Sequence, residues 1–389
     1  MWGTERNSLS KHKELSVKAR KFVRSIVLGG FLAMSLGMSA QTASLKDAYE
    51  GCFLVGAALN PPEFTGEKNY ELIKTQFNAI SPENVLKWEI VHPQPDKYAF
   101  TLADQYVEFG VKNHMEILGH NLVWHSQTPK WVFEDEKGKP LTRDALLQRM
   151  REHIQTVVGR YKGKIDEWDV VNEALNEDGT MRQSQWMKII GPDYIQKAFE
   201  YAHEADPKAQ LEYNDYNLEN PAKREGAIKI VKELKEKGIQ IDAVGLQDHF
   251  DMEWAPVSDL DATISDFEKL GVKVRITELD VDLLPKATQQ QTSDVSVNVA
   301  SDPKLNPYPN GLPAEMQQKL ATRYADLFST YAKHCGEVTR VTFWGVTDAD
   351  SWKNGWPVRG RTNYPLLFDR EGKPKPAFQA VIAAAPKKK

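Results

Sequence analysis

From residue 45 onward, short apolar runs alternate with longer stretches in which apolar residues recur every three or four positions. The short runs predict strands at 53–57, 79–81, 116–119, 167–171, 210–214, 243–247, 274–277 and 340–344. The longer stretches predict helices near 70–76, 102–113, 143–161, 193–205, 222–237, 257–270 and 314–334, with a last one at 376–385. Asp206-Pro207 stops the fourth helix because proline has no amide hydrogen to continue it. Gly238 stops the fifth, where glycine takes the left-handed turn that ends a helix. Strands that alternate with helices form a parallel sheet, since each helix carries the chain back to the same end. Eight such units suit an α/β fold, a single closed (β/α)8 barrel with elaborated loops at the carboxyl ends of its strands. The alternative is an open doubly wound sheet, which ordinarily carries a glycine-rich first turn, and no G-x-G-x-x-G occurs.

Residues 1–43 stand outside this alternation. Lys18, Arg20, Lys21 and Arg24 precede an apolar run at 26–38, and small and polar residues follow at 39–44. That order is the mark of a secretory signal peptide, and the run is too short and too rich in glycine for a stable membrane span. The expected division is an N-terminal extension with signal peptide at 1–43 and a barrel at 44–389, exported to the periplasm or the extracellular space. A polar stretch at 286–312, rich in Gln, Pro and Asn, reads as a loop inserted after the seventh strand.

Composition adds limits. The chain has 389 residues, 41% of them hydrophobic and 27% charged, the balance of a globular protein rather than a disordered or collagen-like one. Fifty basic against fifty-four acidic residues leave no excess positive charge for a phosphate backbone, so no nucleic-acid partner is expected. Two cysteines cannot staple so long a chain. Cys52 opens the first strand and Cys335 precedes the eighth. Those strands are neighbours in a closed barrel, so a bridge is geometrically open, but two free, mostly buried thiols are the expected state. Ten Trp and thirteen Tyr supply flat rings suited to a stacking surface as well as a core.

In a (β/α)8 enzyme the chemistry sits at the carboxyl ends of the strands. Polar residues collect there: Glu83, Asn84, Lys87 and Trp88; His120, Asn121, Trp124, His125 and Gln127; Asn172 and Glu173; Asn214, Asp215 and Tyr216; Gln247 and His249; Glu278 and Asp280; Trp344 and Trp352. Helix caps and solvated loops account for Asn121 or Asp215. They account poorly for Glu173 and Glu278, which come just after the apolar runs at 168–171 and 272–276, because a barrel core disfavours carboxylates. Two carboxyl groups in one cavity rimmed by indoles suggest glycoside hydrolysis, where one group gives a proton to the departing oxygen and the other attacks or assists at the anomeric carbon. The two then need opposite protonation states. A histidine hydrogen-bonded to Glu278 would hold it ionised, and His249 is at hand with Asp280 on the same strand face. Glu173, beside neutral Asn172 and near Trp124, would keep its proton. A metal site is not expected: His120 and His125 are five apart and match no H-E-x-x-H pattern, with only His249 to join them. No cofactor is implied.

Seven motifs carry a resemblance: SPENVLKW (81–88), GHNLVWHSQTP (119–129), WDVVNEA (168–174), YNDYN (213–217), GLQDHF (245–250), ITELD (276–280) and FWGVTDADSW (343–352). In this order, one at each of seven strand ends, they resemble the family 10 glycoside hydrolases, which are endo-β-1,4-xylanases. The resemblance implies a retaining double displacement on xylan and xylo-oligosaccharides, with Glu278 as nucleophile and Glu173 as general acid and base. It places Lys87, His120, Asn172, Gln247, His249, Trp344 and Trp352 around the sugar at the cleaved bond, and Glu83, Asn84 and Lys87 around the next sugar toward the non-reducing end. Asp280 would support His249, and Gln127 and Trp352 would crowd the position of a hexose hydroxymethyl group. A monomer is expected. A β-1,4-glucanase on the same machinery and a catalytically silent sugar-binding barrel are the competing readings, and the second is disfavoured by two unpaired acids at the base of a cleft.

Overall fold

The computed structural model of the chain describes residues 44–289 and 291–387. The expected signal peptide lies outside the described residues.

Eight parallel strands close into a ring: β1 (Leu54–Leu59), β2 (Ala79–Pro82), β3 (Glu116–Gly119), β4 (Glu167–Asn172), β5 (Gln210–Asp215), β6 (Ala243–Leu246), β7 (Lys273–Asp282) and β8 (Val338–Phe343). Each pairs with the next in chain order, and β8 pairs with both β7 and β1, which shuts the barrel. The principal helices follow the strands as α1 (Tyr70–Gln76), α2 (Thr101–Lys112), α3 (Arg143–Arg160), α4 (Tyr194–Ala205), α5 (Pro221–Glu236), α6 (Val257–Lys269), α7 (Ala314–Lys333) and α8 (Pro376–Ala383). Each lays an apolar face on the ring. In α4, Tyr194, Ile195, Ala198, Phe199 and Ala202 recur at helical spacing and are buried. Among the described residues no helix is long and apolar enough to cross a membrane.

Three expectations need correction. The first concerns strand ends. β4, β5 and β7 run further than their apolar stretches, because ladder hydrogen bonds form between backbones whatever the side chains are. Asn172 pairs with Asn214, and Asp215 with Leu246. Beyond the ring, a short strand His249–Asp251 pairs with Asp280, Val281 and Asp282 of β7. Glu278 and Asp280 therefore lie within β7 itself, on the strand face they are expected to share, and their side chains are held by a regular backbone.

The second concerns the core. Arg340 on β8 pairs with Glu167 on β4, and those strands are on opposite sides of the ring, so the pair crosses the barrel's interior. Arg275 on β7 joins it, with Nε 2.8 Å from Glu167 and Nη1 3.4 Å from Glu212. Glu116 lies 3.2 Å from Arg340. All but Glu116 are buried, so this barrel accepts carboxylates in its core where guanidinium groups meet them.

The third is the pair of cysteines. They are not free thiols: Cys52 and Cys335 form a disulfide with their Cα atoms 4.7 Å apart. It links the entry of β1 to the entry of β8 at the amino-terminal end of the barrel, across 283 positions of sequence. Closing so long a loop stabilises the fold by about 5 kcal/mol, chiefly by restricting the unfolded chain.

Candidate active site

Two carboxyl groups stand at the carboxyl-terminal mouth, from β4 and β7, and each is held by its own set of donors. Glu173 follows the last residue of β4 and is 4% exposed. Trp124 donates Nε1 to its Oε2 at 2.8 Å, and Gln247 donates Nε2 to its Oε1 at 3.1 Å. Burial raises its pKa to about 7, with the nearby charges of Asp215 and Glu278 adding to the effect. Glu278 is as deeply placed, at 5% exposed, yet shifts the other way. Burial opposes its ionisation, but His249 Nε2 at 3.1 Å and Asn214 Nδ2 at 2.8 Å outweigh burial, and the carboxyl is held below the ordinary range. Two similar groups thus part company below neutral pH, where Glu173 keeps its proton and Glu278 stays ionised.

His249 explains the difference. Its Nδ1 lies 3.1 Å from Asp280, so the ring is held between two carboxylates. Burial disfavours the imidazolium, but Asp280 and Glu278 together raise its pKa above the usual histidine value. Asp280 in turn is fixed by Trp352 Nε1 at 2.7 Å and by the buried Lys353 at 3.6 Å.

Between the two carboxyls runs a string of amides. Asn172 Oδ1 accepts from Asn214 Nδ2 at 3.0 Å and from Gln247 Nε2 at 3.2 Å, which turns its own Nδ2 toward Glu173 at 3.3 Å. The string is packed with no room to spare: a Cβ on Gly245 would fall 2.4 Å from Asn214 Oδ1. On the β2 side, Lys87 donates to Asn84 Oδ1 at 3.1 Å and to Gln127 Oε1 at 2.9 Å, and its ammonium lies 5.1 Å from the Trp124 ring centre. Burial lowers its pKa, and the carboxylates of Glu83, Glu278 and Glu173 counter that. Glu83 accepts from Asn60 and Asn84. His120 donates or accepts through Nδ1 at 2.6 Å from Asp169 and meets Trp344 edge to face at 5.4 Å. Burial pushes its pKa down to about 4, so the ring is neutral. Trp352 stacks on Trp356 at 4.5 Å and sits 4.9 Å from the His249 ring.

The residues singled out in the sequence therefore gather in one hydrogen-bonded and stacked group, from Glu83, Asn84, Lys87 and Gln127 through Trp124, Glu173, Gln247 and Asn172 to Glu278, His249, Asp280 and Trp352, with His120 and Trp344 on its floor. Asn214, one of the strand-end polar residues, takes a role the sequence did not assign, donating to both Asn172 and Glu278. Three further contributors escaped sequence reasoning. Arg182 lies behind Glu173. Lys353 lies under Asp280. Lys223, in the first turn of α5, is wholly buried, 3.0 Å from Asp215 and 3.5 Å from the Tyr216 ring centre. A lysine on an amphipathic helix reads as a solvated residue, and no local signal marks this one otherwise. Among the described residues no cluster of three or more His, Cys, Asp or Glu is arranged to hold a metal ion.

A proton held at one end of this group and an anion at the other suit the cleavage of a glycosidic bond. The comparisons agree with that class. Residues 44–384 match the model of glycosyl hydrolase family 10, and the chain belongs to this family. It is 46% identical over 356 residues to endo-1,4-beta-xylanase A of Xylanibacter ruminicola, covering 91% of this chain and 96% of that one. It is 41% identical over 371 residues to a beta-1,4-xylanase of Dictyoglomus thermophilum, covering 93% and 99%. Among solved structures, a family 10 endoxylanase retrieved from a sugarcane soil metagenome superimposes with a TM-score of 0.85 at 46% identity, covering 87% of this chain and 99% of that one.

Proposed function

We propose that the protein is an endo-1,4-β-xylanase that works by retaining double displacement. The observation that carries the acid and nucleophile roles is the contrast between two buried carboxyls, Glu173 near 7 and Glu278 below its ordinary value, and the retaining course is what membership of glycosyl hydrolase family 10 implies. The substrate follows from the relatives of known name. In the first step Glu278 attacks the anomeric carbon, the glycosidic C–O bond breaks, and Glu173 gives its proton to the departing oxygen. In the second, Glu173 takes a proton from water, the water oxygen attacks the same carbon, and the bond to Glu278 breaks. Two inversions leave the configuration unchanged.

Asn172, oriented by Asn214 and Gln247, donates to the sugar's 2-hydroxyl, a bond that strengthens as charge develops at the anomeric carbon. His120, Gln247, His249, Trp344 and Lys87 enclose that sugar, and Glu83, Asn84 and Lys87 hold the next one. One chain supplies every group in this scheme, so a monomer suffices for the reaction. Export accords with the disulfide, which persists in oxidising compartments.

Incubation with unsubstituted xylan and with carboxymethylcellulose tests the reading. Short xylo-oligosaccharides from xylan alone are expected; folded protein that releases nothing from either polymer would return the sugar-binding barrel as the better account. Two further results follow. Activity falls as the pH rises through about 7, where Glu173 loses its proton, and falls again in acid, below the usual carboxylate range, where Glu278 gains one. A pH profile of kcat/KM that kept rising well above 7 would contradict that assignment. Trp352→Ala, which opens the space for a hexose hydroxymethyl, raises the ratio of cellobioside to xylobioside hydrolysis by about tenfold. An unchanged ratio of the two aryl glycosides would remove Trp352 from the selection.

A further inference from the structure

Glu173 has left-handed backbone, with φ at 56°. A residue other than glycine adopts this only at a cost and keeps it only where the surroundings hold it. Here both sides of the residue are held. Its N–H donates to Asn214 O at 2.9 Å, and its carbonyl oxygen accepts from Arg182 Nε at 3.2 Å. Arg182 is 17% exposed at its side chain and spends its other donors nearby, on Tyr216 Oη at 2.9 Å and Asp294 Oδ2 at 3.0 Å.

Asp294 belongs to the inserted stretch at 286–312, which leaves the barrel after β7 yet reaches the loop after β4. The described residues of this stretch are tied down at several points. At one end Val299 N–H donates to Pro357 O at 2.9 Å, and Tyr364 Oη donates to Tyr308 O at 2.6 Å. At the other, Asn217 Nδ2 donates to Gln291 O, and Gln291 Nε2 donates to His249 O, each at 3.1 Å. The insertion is therefore an ordered strap from the loop after β8 to the loops after β4, β5 and β6. Glu83, Asn84 and Lys87 come from β2, on the other side of the mouth, so the strap borders the side where the departing sugar leaves.

We infer that Asp294 is a positioning residue for the acid: by fixing the Arg182 guanidinium it holds the carbonyl of Glu173, and with it the direction in which the Glu173 carboxyl presents its proton. The inference rests on Glu173 being the general acid. A misdirected acid impairs bond cleavage in proportion to how much the leaving group needs a proton. Xylan needs one fully; a 2,4-dinitrophenolate departs without it. A residue that merely stabilised the loop would affect both substrates alike.

The test compares kcat/KM, which reports steps only through the first bond cleavage, on xylan and on 2,4-dinitrophenyl β-xylobioside. Asp294→Ala is expected to lose about tenfold on xylan and less than about twofold on the activated glycoside. Asp294→Asn keeps the shape and an acceptor without the charge, and is expected to show the same pattern at smaller size. Equal losses on both substrates, or none on either, would overturn the inference. Glu173→Ala serves as the reference. If it shows no dependence on the leaving group, the assignment of Glu173 fails; if it shows that dependence and the Asp294 variants do not, only the strap's role fails.

Discussion

Glu278→Ala is expected to lower xylan hydrolysis by about 10⁴-fold or more, with the fold and melting temperature little changed. The loss is large because the carboxylate forms and breaks a covalent bond, and no neighbour can replace it: His249 is spent holding Glu278 itself, and Asp280 lies behind His249. The same change removes one of the two anions on either side of the imidazole, so His249 should titrate at lower pH than in the parent protein. Steady-state rates on xylan read the first effect and the NMR titration of the ring reads the second. A variant that kept a tenth of its rate would exclude Glu278 as the nucleophile.

Arg340→Met is expected to cost stability rather than chemistry. It leaves Glu167 and Glu212 inside the barrel with only Arg275 to meet them, and an uncompensated buried charge costs about 3–5 kcal/mol. For a chain of this size that lowers the melting temperature by about 5 °C. Adding Glu167→Gln should recover part of the loss, because the neutral amide no longer requires the guanidinium. Calorimetry of the single and double variants checks both statements, and an unchanged melting temperature for Arg340→Met would show that the pair contributes nothing.

That network also bears on how much of the protein was legible in its sequence. The eight strands were legible because each is buried on both faces and so reads as a compact apolar run. Their ends were not, because β4 and β7 continue through Asn172 and Asp282, where pairing depends on backbone and not on side-chain polarity. The argument that a core rejects carboxylates found Glu173 and Glu278, but taken alone it also points to Glu167, Asp169 and Glu212, which the interior keeps through Arg275, Arg340 and His120. What distinguishes the site pair is the end of the strand they occupy. The motifs reached the groups that face the cleft; they did not reach Arg182, Lys223 or Lys353, whose burial depends on loops and helices meeting from distant parts of the chain. The disulfide was half legible: the closed barrel made Cys52 and Cys335 neighbours, but nothing along the sequence says whether two neighbouring thiols are joined.

The central claim is that Glu278 forms a covalent bond with the sugar while Glu173 handles the proton. The most direct measurement is mass analysis of the protein after incubation with an activated 2-deoxy-2-fluoro-β-xylobioside, whose fluorine slows release of the intermediate more than its formation. One added glycosyl group is expected, placed by peptide mapping on the segment that contains Ile276, Thr277 and Glu278. Turnover of xylan with no adduct under these conditions, or an adduct on any other carboxyl, would contradict it.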